Sequence, residues 1–283
     1  MEVSSTPPAV LLYNGQLYTT DSFGLTLPNR GLQFNDGFFE TLIWSNDGLR
    51  YRTQHLQRMQ AAATALELEL PFALVAEGAL EWALRELVNA LRLPEARLRI
   101  QVWRSGGGLY TPGNNNVEWL ATALPFELRE SPVQRAGFGQ RVRALYSPVS
   151  FCKGPQAVLY VLAAQERARR ELDELLLLDT AGHVAEASAA AVFWIRDGRL
   201  FTPALSTGCV AGVRRAHLLD LAHAKHLYAH EVLAKPEELL QAEAVFTANV
   251  AAIRPLQQID DALFASDAHP LLQDLRRWEA AVY

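Results

Sequence analysis

Residues 175–203 read LLLLDTAGHVAEASAAAVFWIRDGRLFTP. Leu175 to Asp179 is a short apolar run closed by the turn Thr180-Ala181-Gly182. Ala191 to Ile195 is a second run, rich in β-branched and aromatic residues, and Arg196-Asp197-Gly198 turns it into a third, Arg199 to Phe201. Strands joined by turns this short make hairpins, not the long crossovers of a parallel sheet.

The same pattern holds outward from this stretch. Ala9 to Tyr13 and Gln16 to Thr19 flank Asn14-Gly15, a dipeptide that takes the positive φ values of a hairpin turn. Phe38 to Trp44 is a strand that Asn46-Asp47-Gly48 turns into Leu49 to Arg52. Leu56, Met59, Ala63 and Leu66 fall at helical spacing from about Thr53, and Pro71 ends that helix; Ala76 to Leu91 is a second. Arg97 to Trp103 and Val117 to Ala123 are strands across a glycine-rich loop, Ser105 to Gly113. Later come a strand at Arg141 to Tyr146, helices at Val158 to Leu172, Gly212 to about His226 and His269 to Ala281, and a strand at Glu243 to Thr247. The chain is expected to be α+β. Leu124 to Gly139, with its prolines and glycines, is the best linker candidate. The expected domains are 1–124 and 140–283, with 125–139 between them.

Composition narrows the function classes. Of 283 residues half are hydrophobic and the net charge is −5, so neither disorder nor an electrostatic footprint for nucleic acid is expected. No apolar run reaches the length of a membrane span. Met1-Glu2-Val3-Ser4-Ser5 lacks the start of a signal peptide, which points to the cytoplasm. Cys152 and Cys209 make no disulfide framework and no zinc site. His223, His226 and His230 sit at i, i+3 and i+7, which a solvated helix face explains better than a metal. No P-loop, nucleophile elbow or dinucleotide fingerprint occurs.

Three features carry chemistry. The 26 basic residues include only three lysines, Lys153, Lys225 and Lys235. Lys153 follows Val149-Ser150-Phe151-Cys152, read as an apolar strand end, and precedes Gly154-Pro155. Burial there lowers an amine's pKa and makes it nucleophilic, as a Schiff-base lysine requires; a surface lysine in a turn is the other reading. Glu186 stands alone among small residues that let a flat ring approach, so its carboxylate can pair with a protonated ring nitrogen. A hairpin-edge glutamate facing water fits the sequence equally. Gly208 to Arg215 is a glycine-punctuated loop entering a helix, whose free N–H groups suit a phosphate; an ordinary helix start is the alternative.

Together these stretches resemble the class IV aminotransferases, the fold-type-IV pyridoxal-phosphate enzymes. The family pattern has an active-site lysine, then A-x-Q-E-A, L-L-L-D-x-x-G-x-V-x-E-x-x-x-x-N-x-F, a D-G turn, T-P and G-x-x-x-G-[IV]-x-R. Here stand Lys153, Ala163 to Ala168, Leu176 to Asp179, Gly182, Val184, Glu186, Phe193, Asp197-Gly198, Thr202-Pro203 and Gly208 to Arg215. Asn29 to Thr41 resembles D-R-G-x-x-[FY]-G-D-G-x-[FY]-E-T, and His55 to Met59 resembles H-x-x-R-L. Ala242 to Asn249 with Ile253-Arg254-Pro255 resembles A-D-E-V-F-x-x-N…I-x-P. The likeness covers nearly the whole chain in the right order.

The resemblance implies a smaller N-terminal domain, a larger β-barrel-like C-terminal domain with helices, the cofactor between them, and a homodimer. It implies pyridoxal phosphate bonded to Lys153, its ring nitrogen paired with Glu186, and its phosphate held by Arg58, the backbone at Val213 and Arg214, and Thr247 or Asn249. Ala191 replaces the family asparagine, Ala157 stands where a polar or aromatic residue is usual, and Arg214 replaces threonine or methionine. The expected substrate is a small amino compound, met by Phe39, Arg99 and Arg104.

Three activities follow. Ala189-Ala190-Ala191-Val192-Phe193-Trp194 and Arg104 to Tyr110 are closest to the A-A-N-L-F-W and R-G-x-G-G-x-G-Y of lyases that split 4-amino-4-deoxychorismate into pyruvate and p-aminobenzoate, a step of folate synthesis. Branched-chain or D-amino-acid transamination is the alternative. The changes at Ala191 and Ala157 motivate a third reading, a non-catalytic cofactor-binding relative.

Overall fold

The computed structural model describes residues 10–45 and 48–281. The readings at Met1 to Ser5, at Ala9 and at the turn Asn46-Asp47 lie outside the described residues. The chain divides into two compact units, Met1–Glu127 with Cys152–Pro155, and Leu128–Phe151 with Gln156–Tyr283.

The first unit contains β1 (Val10–Tyr13), β2 (Gln16–Thr19), α1 (Arg30–Phe34), β3 (Gly37–Ser45), β4 (Gly48–Leu49), α2 (Arg52–Leu66), α3 (Phe72–Val75), α4 (Glu77–Ala90), β5 (Ala96–Arg104) and β6 (Val117–Pro125). Its six strands form one antiparallel sheet in the order β2-β1-β6-β5-β3-β4. Leu80, Leu84 and Leu87 of α4 recur at helical spacing and are buried, which fixes the face that helix turns inward. In β3 the register alternates, so Phe38, Glu40, Leu42 and Trp44 share one face and Phe39 and Thr41 the other. Trp44 takes the Arg85 guanidinium of α4 over its ring, so this face is the one the helices cover.

The second unit contains β7 (Ala136–Ala144), α5 (Ala157–Arg169), β8 (Glu174–Asp179), β9 (Val184–Ala187), β10 (Ala191–Arg196), β11 (Arg199–Pro203), α6 (Val213–Ala224), β12 (Ala229–Val232), α7 (Pro236–Leu239), β13 (Ala244–Ala248), β14 (Ile253–Pro255), β15 (Gln258–Ile259), β16 (Ala262–Leu263) and α8 (Pro270–Ala280). Two five-stranded sheets form, β12-β11-β10-β13-β14 and β16-β15-β7-β8-β9. Val192 and Trp194 point into a core shared with Leu176, Val184 and Ile259 of the other sheet. Phe193 and Ile195, one residue out of phase, point into a second core with Leu218 and Leu221 of α6 and Leu272 and Leu275 of α8. The period of two in one apolar run thus builds two cores. The fold is α+β, as the hairpin reading expects.

Several local expectations change. The strand expected at Arg141 to Tyr146 is Ala136–Ala144, so it starts inside the expected linker 125–139; Gln140 and Arg141 donate their amides to the Glu166 carboxylate where the register shifts. The lysine segment expected in the domain 140–283 belongs to the first unit. It is also not a strand end: Ser150 donates both its amide and its hydroxyl to the Ser147 carbonyl, and the chain from 148 to 156 turns. The three histidines share no helix face, because α6 stops at Ala224, His226 is left-handed and His230 lies on β12 over the Phe201 ring. Among the described residues no group of His, Cys, Asp and Glu could hold a metal, and no helix is long and apolar enough to cross a membrane.

Candidate functional site

In the first unit a buried ion cluster spans β3 and α2. His55 and Arg58 are three residues apart and therefore share a helix face. Glu40, the single charge in an apolar strand, meets both. Arg58 donates Nε to Glu40 Oε1 at 2.7 Å and Nη2 to Oε2 at 2.6 Å, a bidentate fork, while His55 Nδ1 lies 2.7 Å from Oε2. All three are buried. Burial alone raises a carboxyl pKa, but Arg58 and His55 outweigh it and hold Glu40 at about 2. Burial pushes His55 down, with the charges of Arg58 and Lys153 acting the same way against Glu40. A neutral imidazole donating Nδ1–H to the carboxylate satisfies these bonds. Its Nε2 is buried without a hydrogen-bond partner among the described residues.

Lys153 lies beside this cluster and is half-buried. Phe39 donates its amide to the Lys153 carbonyl at 2.8 Å, and Asn35 donates Nδ2 to the Gly154 carbonyl at 2.6 Å. Gly154 has φ +138°, and a Cβ there would sit 2.8 Å from the Phe38 Cα, so only glycine lets the segment lie against β3. The preceding thiol, Cys152, is pushed up to about 11 by burial, so it is no rival nucleophile.

The expected substrate residues divide. Phe39 is half-buried, and the Arg99 guanidinium lies over its ring, 3.8 Å from the centroid. Arg99 makes no carboxylate pair among the described residues. Arg104 has a different employment from the carboxylate recognition expected of it. It is buried and donates Nε to Asp36 at 3.0 Å, Nη1 to the Glu67 carbonyl at 3.1 Å and Nη2 to the Leu66 carbonyl at 2.6 Å. Asp36 also accepts Arg30 Nε at 2.7 Å. Arg30, Asp36 and Arg104 line a pocket of about 550 Å³ together with Phe34, Asn35 and Tyr110.

In the second unit Glu186 lies on β9 and is 4 % exposed, which removes the reading of an edge glutamate facing water. Tyr160 of α5 donates its hydroxyl to Oε1 at 2.7 Å, and the Val210 amide donates to Oε2 at 3.2 Å. Tyr160, further along from the Ala157 that stands where the resemblance has a polar or aromatic residue, joins the site by a contact between α5 and β9. Two residues on from Val210, Gly212 caps α6, and Val213 and Arg214 supply N–H groups of its first turn, which lack acceptors inside the helix. Ala191 lies beside Gly212, where a Cβ would come within 3.9 Å of its methyl.

The Arg214 side chain is committed to structure. Its Nε donates to Glu279 Oε1 at 2.9 Å and its Nη2 pairs with the other Glu279 oxygen, while Nη1 reaches the Asn249 carbonyl at 3.2 Å. Asn249 spends Oδ1 on the amides of Ala251 and Ala252 and donates Nδ2 to the Ala189 carbonyl, shaping the loop after β13. Thr247 lies one register pair from the Ala191–Ala248 pair, and among the described residues its hydroxyl makes only a 3.5 Å bond, to the Arg254 carbonyl.

Each unit by itself carries chemistry suited to part of a phosphorylated aromatic aldehyde. In the first a lysine can bond a carbonyl carbon; in the second a buried carboxylate can pair with a ring nitrogen, and a helix start edged by Gly212 and Ala191 can take a dianion.

The Amino-transferase class IV family profile matches residues 37–259. The chain is 27% identical over 232 residues to the aminodeoxychorismate lyase of Vibrio harveyi, covering 79% of this chain and 82% of that protein. It is 26% identical over 261 residues to the D-alanine aminotransferase of Bacillus licheniformis, covering 91% of each. The branched-chain amino acid aminotransferase of Thermobaculum terrenum, solved in its PLP form, superposes with a TM-score of 0.82 at 20% identity, over 98% of this chain and 94% of that one.

Proposed function

The chain belongs to the class IV aminotransferase family, and on that premise we propose that it is a pyridoxal-phosphate-dependent lyase that splits 4-amino-4-deoxychorismate into pyruvate and p-aminobenzoate. The observation that carries the cofactor reading is Glu186, a buried carboxylate held from both sides by Tyr160 and the Val210 amide. Pyridoxal phosphate, when bound, supplies an electron sink for the pair left when a proton leaves the substrate carbon. Glu186 keeps a pyridine nitrogen protonated, which is the state in which the ring accepts those electrons.

Lys153 is the residue that bonds the cofactor and, once free, the base whose Nζ takes the proton from the ring carbon bearing the substrate amine. The ring C–O bond then breaks, the enol form of pyruvate leaves and takes up a proton to become pyruvate, and an aromatic ring remains. The amides of Val213 and Arg214 hold phosphate, and Thr247 supplies a hydroxyl. Asn249 shapes the loop beside it through backbone amides. Arg58 contributes charge from a fixed position, because Glu40 grips two of its nitrogens. Arg99 with Phe39 meets a substrate carboxylate, while Arg104 ties the end of β5 to the end of α2.

Support for the lyase over transamination comes from Arg104 to Tyr110 and Ala189 to Trp194, together with the lyase relative. D-Amino-acid transamination is the second reading, favoured by the longer span matched by its relative. The test is pyruvate and p-aminobenzoate release from 4-amino-4-deoxychorismate with pyridoxal phosphate added, and Lys153→Ala as control. Release by wild type alone supports the lyase. No release from protein that binds the cofactor overturns it and directs assays to amino acids with 2-oxo acids.

A further inference from the structure

The segment carrying Lys153 is a turn, so its backbone is held by whatever bonds to it from outside. Two successive carbonyls are gripped from the first unit, Lys153 O by the Phe39 amide and Gly154 O by Asn35 Nδ2. Asn35 caps the end of α1 in the left-handed region, at φ 53° and ψ 36°, with its own amide on the Arg30 and Gly31 carbonyls. Its mount is rigid. The Asn29 side chain caps the start of α1, and the next residue, Asp36, accepts Nε of both Arg30 and Arg104. The family pattern has glycine at this position, where this chain has Phe34-Asn35-Asp36-Gly37. Glycine takes the same φ but brings no donor.

We propose that Asn35 is a positioning residue for Lys153: its amide straps the peptide after the lysine and so fixes the direction in which the lysine amine projects. The proposal rests on Lys153 being the cofactor-bonding lysine. Asn35 acts through the backbone and touches neither cofactor nor substrate. A left-handed site admits asparagine, aspartate and glycine, and of these only asparagine can donate to a carbonyl.

Two variants separate the strap from mere backbone fit. Asn35→Gly keeps the conformation and deletes the donor; Asn35→Asp keeps the shape and turns an acceptor toward an acceptor. Hydrogen exchange at the Phe39 amide, which donates to the Lys153 carbonyl, is measured on the chain without cofactor. Covalent capture of added pyridoxal phosphate is timed separately. The expected result is exchange about fivefold faster in both variants, from loss of one hydrogen bond, with capture slowed by a similar factor. Wild-type exchange in Asn35→Gly overturns the strap. Faster exchange with unchanged capture overturns the positioning of the amine. Failure of the wild-type chain itself to capture the cofactor overturns the assignment of Lys153 instead, and the exchange result still decides the strap.

Discussion

Replacing Glu40 by alanine leaves the Arg58 guanidinium in the interior without the carboxylate that holds two of its nitrogens. Breaking one partner of a buried pair costs about 3–5 kcal/mol, because the surviving charge stays desolvated. The titration of Glu40 gives a second route to the magnitude. Its carboxyl falls from 4.5 to about 2 on folding. At about 1.4 kcal/mol per unit that is about 3 kcal/mol, in line with the first figure. The folded pKa is depressed, so this stability is fully present above about pH 4.5 and is lost as pH falls toward 2. Roughly half of it is gone at pH 3. The assay is urea unfolding of the cofactor-free chain at pH 7 and pH 3, followed by tryptophan fluorescence. Glu40→Ala is expected to lose about 3 kcal/mol at pH 7, and the gap to wild type is expected to narrow at pH 3. The double variant Glu40→Met, Arg58→Met is expected to be more stable than Glu40→Ala, because no charge is stranded. A loss under about 1 kcal/mol at pH 7, or a gap that does not narrow with acid, refutes the electrostatic account of this cluster.

Lys153→Ala is expected to abolish denaturant-resistant attachment of pyridoxal phosphate, read by mass spectrometry; attachment elsewhere would remove Lys153 from its role. Glu186→Gln is expected to keep the cofactor but lower kcat about a hundredfold, since a neutral amide cannot hold the ring nitrogen protonated; an unchanged kcat would sink the pairing. Tyr160→Phe deletes one bond to that carboxylate, worth about 1.5 kcal/mol, and is expected to cost about tenfold in kcat with the fold intact. Gly208→Ala is expected to destabilise by at least about 2 kcal/mol in urea unfolding, because φ is +86° and the added Cβ would lie 2.5 Å from the Leu145 carbonyl carbon. A wild-type midpoint would show that the loop yields there.

Residues that announce themselves by local contrast were legible in the chain alone. A lone acid among alanines at Glu186 is such a contrast; Glu40, the one acid of an apolar strand, was not singled out in that way, and both are buried and paired. What those acids pair with was less legible. His55 and Arg58 lie on a neighbouring helix, and Tyr160 meets Glu186 across 26 residues of chain. Arg104 marks the reverse failure. Its place before a glycine-rich loop suggested ligand recognition, yet three carbonyl or carboxylate groups from distant positions take its donors.

Alternation and turn chemistry, which act over a few residues, determined from the sequence by itself that this protein is α+β, that hairpins dominate its strands, and that Gly212 opens a helix. Tertiary structure decided that four residues around Lys153 belong to the first unit, that Asn35 and Phe39 hold them, and that Arg214 faces Glu279. The physical reason is range. A φ preference or a period of two is written into neighbouring residues, whereas the partner of a buried charge or a bare carbonyl is set by whichever distant group the packed chain brings within about 3 Å.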